Sequence, residues 1–241
     1  MCGRIAPNSR RAYSPAMTDL SNKVAFVAGA RSSIGRACIS ALRSAGAQIC
    51  AVGAGDADRN LDVDVYDAES WDEAFDTCVK TLGRLDVLVI PTAGKSSPPI
   101  EDAALAGFVS THRAMVVPAF LAQNRGIVAM RKAGNGGAVV HVIPAAARAG
   151  LEGAVAACTA SAGILFSSKS ASLECAKEKD GIVVNAVLVG PVAGEPQLPY
   201  PKDVAAVPPQ AVADAVLFYA TDGAVYMSGM DLPVDGGFLA G

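Results

Sequence analysis

The sequence predicts one α/β domain built on a doubly wound parallel sheet. Short, continuously apolar runs recur along the chain, as expected for strands buried on both faces. Most are followed by a stretch with apolar residues at helical spacing, the alternation that gives a parallel sheet covered by helices. The first run also leads through a glycine-bearing turn directly into a helix.

The elements follow in order. Residues 22–28 (NKVAFVA) are entered from polar residues and left through Gly29, and read as a buried strand. Residues 34–45 place Ile34, Ala37, Cys38, Ala41 and Leu42 on one helical face, and Gly46 ends that helix. Residues 47–52 and 60–65 read as the second and third strands. Residues 70–82 read as a helix with Ser70 as its N-cap, and 85–90 as the fourth strand. A long helical region over about 103–133 is expected to break near Pro118. Strands at 137–143, 182–189 and 230–234 alternate with helices at 159–179 and 211–220. The expected architecture is about seven strands in three αβα layers. No repeat or linker divides the chain, so 17–241 reads as a single domain. Residues 1–16 are polar and aperiodic, and read as a disordered extension.

The bulk composition sets limits. Of the 241 residues, 51% are hydrophobic and 18% charged, enough for a sizeable core. A formal charge of −3 and a pI near 5.4 carry no nucleic-acid footprint. No apolar run reaches membrane-spanning length without Gly, Pro or charge. Residues 1–16 lack the apolar stretch of a secretory signal. The six cysteines have no paired CxxC spacing and read as reduced, mostly buried thiols of a cytoplasmic protein. With His112 and His141 as the only histidines, no metal site is expected.

The turn Ala28-Gly29-Ala30-Arg31-Ser32-Ser33-Ile34-Gly35 brings backbone N–H groups to a helix N-terminus, a seat for a pyrophosphate. Further along stand Asp64-Val65, Pro91-Thr92-Ala93-Gly94, Val184-Asn185-Ala186-Val187, Gly190-Pro191 and Val234-Asp235-Gly236-Gly237. From Leu20 to the C-terminus, this ordered set resembles the short-chain dehydrogenase/reductase family. The resemblance implies a Rossmann-type fold. It also implies a dinucleotide held by Gly29, Arg31, Ser32, Ser33, Ile34, Gly35, Asp64, Val65, Ala93 and Gly94. The family motif is Thr-Gly-x-x-x-Gly-x-Gly; here Ala28 replaces the Thr and Ser33 the middle Gly. The second strand ends near Gly53, without the acid that NAD enzymes use for the ribose, and Arg31 could meet a 2′-phosphate. NADP is therefore the expected nucleotide if a dinucleotide binds, with weak or absent binding left open.

The family also implies an Asn-Ser-Tyr-Lys set, in which the Tyr is the general acid/base and the Lys tunes it. Counting from flanking matches puts Met115, Pro144, Thr159 and Gly163 at those positions. No tyrosine occurs from Asp67 to Pro199, and no Ser, Tyr, Thr or Lys from Ala138 to Cys158. His112, one turn before Met115, is the candidate substitute acid/base. The segment after Gly190 is short and proline-rich where relatives carry a longer lid. The expectation is a protein without the redox set. It would be a non-catalytic subunit of a hetero-oligomeric ketoreductase, or a repurposed non-redox enzyme for cyclisation or isomerisation of a small molecule in the cleft. The alternative is an NADP-dependent oxidoreductase using substitute residues. In either case a homo- or hetero-oligomer is expected through the two long helices, with neither nucleic acid nor membrane as partner.

Overall fold

The computed structural model describes residues 19–53, 56–195 and 198–240, so the expected extension at 1–16 lies outside the described residues. The strands are β1 (Val24–Val27), β2 (Gln48–Val52), β3 (Arg59–Leu61), β4 (Val87–Pro91), β5 (Gly137–Pro144), β6 (Ile182–Val189) and β7 (Asp231–Val234). The helices are α1 (Ser33–Ser44), α2 (Ala68–Leu82), α3 (Leu105–Ala133), α4 (Val155–Glu178) and α5 (Pro209–Ala220). One seven-stranded sheet has the order β3-β2-β1-β4-β5-β6-β7, and every pairing is parallel. This is the doubly wound, three-layer arrangement the sequence predicts.

The pleat sends alternate side chains to opposite faces. Ala25, Val27, Ile49, Val87, Val140 and Val187 pack with Leu42, Val212, Val216 and Tyr219 of α1 and α5. Phe26, Leu88, Val139, Val184 and Leu188 pack on the other face with Trp71, Phe75, Met130 and Ile164 of α2, α3 and α4. The largest side chains meet there, with the Phe26 and Phe75 rings 4.5 Å apart and Trp71 5.8 Å from Phe75.

Four boundaries differ from expectation for identifiable reasons. Helix α2 starts earlier because Asp67 caps it, its carboxylate accepting from the N–H groups of Glu69 and Ser70. Ser70 instead accepts from the Asp64 N–H at 3.0 Å. Helix α3 runs unbroken through Pro118, with Met115, Ala119 and Ala122 buried on either side of it. It is long and apolar enough to cross a membrane by composition, but these side chains face the sheet and its neighbouring helices. Helix α4 begins four residues early, because Ala156 and Ala157 already pack into the core. Strand β3 is a short edge strand, and the chain beyond Leu61 turns away from the sheet.

Polar groups tie the layers at two points. Asp86 is 2% exposed, and its carboxylate accepts from the Val24 N–H, both arms of Arg84 and Asn135 Nδ2 at 2.6–3.0 Å. His141 points from β5 into the helical layer, where its Nε2–H donates to Gln123 Oε1 at 2.8 Å. Its Nδ1 has no hydrogen-bond partner. Burial pushes the His141 pKa down to about 4. The unfolded chain therefore binds this proton below pH ~6.5 while the native protein does not. Stability should fall by about 3 kcal/mol as the pH drops from 6.5 to 4. Urea unfolding of wild type and H141Q across this range checks it: the variant should lack this component of the pH slope.

Candidate functional site

A cleft of about 410 Å³ opens at the carboxyl ends of β1, β4, β5 and β6. It lies where the winding reverses, since α1 leaves β1 toward one face and α3 follows β4 on the other. Gly29, Arg31, Ser32, Ile34, Val65, Ala93 and Gly94 of the expected dinucleotide set line it. Three of that set do not. Asp64 is exposed and uses its carboxylate to accept from the Tyr66 N–H, so Asp62 and Val63 line the cleft in its place. Gly35 works behind the surface: a Cβ there would lie 2.0 Å from the Gly29 carbonyl oxygen, so only glycine lets helix and turn approach this closely. Ser32 closes the same turn, accepting from the Gly35 N–H at 2.9 Å. Ser33 turns its backbone N–H to Glu195 Oε1 at 2.9 Å.

That last contact places a carboxylate on the positive end of α1. Its contact with Ser33 holds the Glu195 carboxyl below the usual carboxylate range. Arg31 lies across the end of β2. Gly53 adopts φ +93°, and a Cβ on it would meet the Arg31 stem at 3.2 Å. An acid at this place would displace the arginine.

The positions counted for the Asn-Ser-Tyr-Lys set do not come together. Pro144 lines the cleft, but Met115 is buried in the helical layer, and Thr159 and Gly163 are exposed on α4. His112 bridges the helices outside the cleft. Its Nδ1–H donates to the Phe108 carbonyl at 3.0 Å, and Nε2 faces Thr159 Oγ1 at 3.2 Å. The side of α4 nearest the cleft is carried instead by Ala157, whose Cβ would lie 3.0 Å from a Cβ on Gly94. Cys158 sits close enough to the Tyr200 phenol to act on it electrostatically. On a helix, a difference of one residue in such a count turns the position by ~100°.

The missed residue is Tyr200. It comes from the proline-rich loop, the first tyrosine beyond the gap, and it lines the far end of the cleft. Its Oη–H donates to the Val189 carbonyl at 3.0 Å, and the nearby Ala146 and Ala145 backbone acts to lower the phenol's pKa. The ring packs edge-on against Phe238 at 5.1 Å. Among the described residues lining the cleft, the ionisable side chains are Arg31, Asp62, Glu195 and Tyr200.

Residues 28–239 match the family model described as Enoyl-(Acyl carrier protein) reductase. The chain belongs to the short-chain dehydrogenase/reductase superfamily. It is 32% identical to D-threitol dehydrogenase of Mycolicibacterium smegmatis, over 91% of this chain and 94% of that protein. It is 30% identical to 3-alpha-(or 20-beta)-hydroxysteroid dehydrogenase of Mycobacterium tuberculosis, over 92% and 91% respectively. The fold matches that of carveol dehydrogenase from Mycobacterium avium, solved in complex with NAD, with a TM-score of 0.82 at 24% identity over 93% of this chain and 100% of that one. These relatives are named dehydrogenases, and they overturn the expectation of a non-catalytic subunit or a non-redox enzyme.

The cleft fits the nicotinamide dinucleotide that the superfamily implies. The Gly29–Gly35 turn is closed, its helix end already accommodates an anionic group in Glu195, and Arg31 lines the cleft at the end of β2. Ser32, Ser33 and Ile34 would hold the pyrophosphate, and Val65, Ala93 and Gly94 the adenosine side. The Glu195 carboxylate stands on the amide that a phosphate would use. E195Q should therefore bind dinucleotide roughly fivefold more tightly at neutral pH. For wild type the affinity should rise as the pH falls and Glu195 takes up a proton. Calorimetry on both proteins over a pH series checks this.

Proposed function

We propose that the protein is a nicotinamide-dependent oxidoreductase that interconverts a secondary alcohol and its ketone. The observation that carries this reading is the single cleft joining the glycine turn to a phenol at its far end. When bound, the dinucleotide would exchange a hydride with the carbon that bears the substrate oxygen. The chain's own part is to orient the two partners, exclude water and manage the proton. Val142, Pro144, Val189, Val192 and Leu198 form an apolar wall beside Tyr200. This lining favours a cyclic or otherwise apolar alcohol over a polyol, because hydroxyl groups left without partners there would be costly.

Arg31 and Gly53 favour NADP over NAD, since a guanidinium at the end of β2 can pair bidentately with a 2′-phosphate. In this reading the family's Asn-Ser-Tyr-Lys set is replaced; of the four positions counted for it only Pro144 lines the cleft. A second copy of the chain is the expected partner. Val109, Val117 and Phe120 of α3 and Phe166 and Leu173 of α4 are exposed apolar side chains on the two long helices.

Turnover assays with cyclohexanols, hydroxysteroids and sugar alcohols, each with NADP and NAD, test the activity. Oxidation of cyclic alcohols with NADP is expected, and R31A should lower NADP affinity about tenfold while leaving NAD affinity nearly unchanged. No dinucleotide binding and no turnover would reject the reading. Light scattering should give a mass above the 24.4 kDa monomer, and a charge introduced as F166E with L173E should lower it.

A further inference from the structure

We propose that Tyr200, brought into the cleft by the proline-rich loop, exchanges the proton with the substrate oxygen. This rests on the oxidoreductase reading above. The loop would thus supply from outside α4 the phenol that α4 itself lacks, since residues 155–178 contain no tyrosine.

The geometry supports this assignment through what surrounds the oxygen. Tyr200 Oη lies at the carboxyl ends of β5 and β6, beside Pro144. It donates to one carbonyl, of Val189, and the backbone of the short turn at Ala145–Ala147 is near enough to act on the phenol. Rotation about its C–O bond redirects the hydrogen from Val189 to an incoming substrate oxygen. The Ala145 and Ala146 backbone, which favours the ionised phenol, then stands beside the phenolate left behind. Burial pushes the phenol up to about 12, and the Ala146 and Ala145 backbone acts in the opposite direction. The phenol is therefore protonated at neutral pH, the state a proton donor needs.

The other ionisable groups of the cleft are less suited. Glu195 is held ionised on the helix end, Arg31 does not release a proton, and Asp62 follows β3 at the opposite edge of the sheet. His112 is turned toward Thr159 outside the cleft.

In the reducing direction the Tyr200 O–H bond breaks and the product O–H bond forms, while the carbonyl carbon takes its hydride from the reduced dinucleotide. The phenolate regains its proton from solvent water. The reverse direction needs the phenolate.

The test compares wild type, Y200F and H112Q. Y200F keeps the ring and its contact with Phe238, and loses only the hydroxyl. Its kcat should fall at least ~100-fold, with dinucleotide affinity by fluorescence within twofold of wild type. Alcohol oxidation by wild type should climb with pH up to at least ~10, and this slope should vanish in Y200F. H112Q should retain the wild-type rate and slope. Y200F turning over at the wild-type rate with the slope intact would overturn the assignment, as would a loss matched by lost dinucleotide affinity. A direct readout separates this from the oxidoreductase reading. In protein carrying fluorotyrosine, the fluorine resonance missing from Y200F belongs to Tyr200, and cyclohexanone should shift it. A resonance that does not move rejects Tyr200 whether or not the wild type turns over any alcohol.

Discussion

Everything in this molecule depends on strands that are apolar on both faces. Strands β4, β5 and β6 have almost no exposed residues, so their backbone groups must be satisfied within a ladder and their side chains beneath helices on both sides. A parallel ladder allows no hairpins, so every connection must cross over a face. Once β1 lies between β2 and β4, those crossovers part company at its carboxyl end. The cleft is what remains between them. Asp86 holds the other end of this arrangement, joining β1 to the residues that flank β4 and β5.

Much of the scaffold was legible because its signals are local. Gly29 and Gly35 announce a tight turn, and the turn is there for the reason glycine is needed. The continuous run of residues 182–189 is β6 to the residue. Boundaries were less legible where two local signals competed, as when Asp67 rather than Ser70 capped α2. The positions on α4 failed for a different reason. A helix face is fixed by phase, and a phase carried across a turn of uncertain length is lost by a single residue. The count pointed to Thr159 and Gly163, which face away.

Tyr200 was hidden from the sequence because the groups around its hydroxyl come from strand ends elsewhere in the chain. Nothing local distinguishes it from a loop tyrosine among prolines. What gives it significance is its encounter with Val189, Ala145 and Ala146, which come from strand ends 11 and about 55 positions away. Glu195 is similar, since its contact with Ser33 spans 162 residues. Composition and periodicity describe elements; they do not say which loop residue a cleft will receive. Both side chains come from the segment that sequence comparison read only as a shortened lid.

The foot of that segment is stitched shut. The Ala193 N–H donates to the Val207 carbonyl at 3.0 Å, and the Val207 N–H to the Pro191 carbonyl at 2.6 Å. Its two ends therefore stand side by side on the rim of the sheet. Lengthening a segment whose ends are already joined in this way costs little closure entropy. In a scaffold whose other walls are fixed by strand ends, changes along this segment that keep Tyr200 and Leu198 can alter ligand preference while the sheet stays as it is.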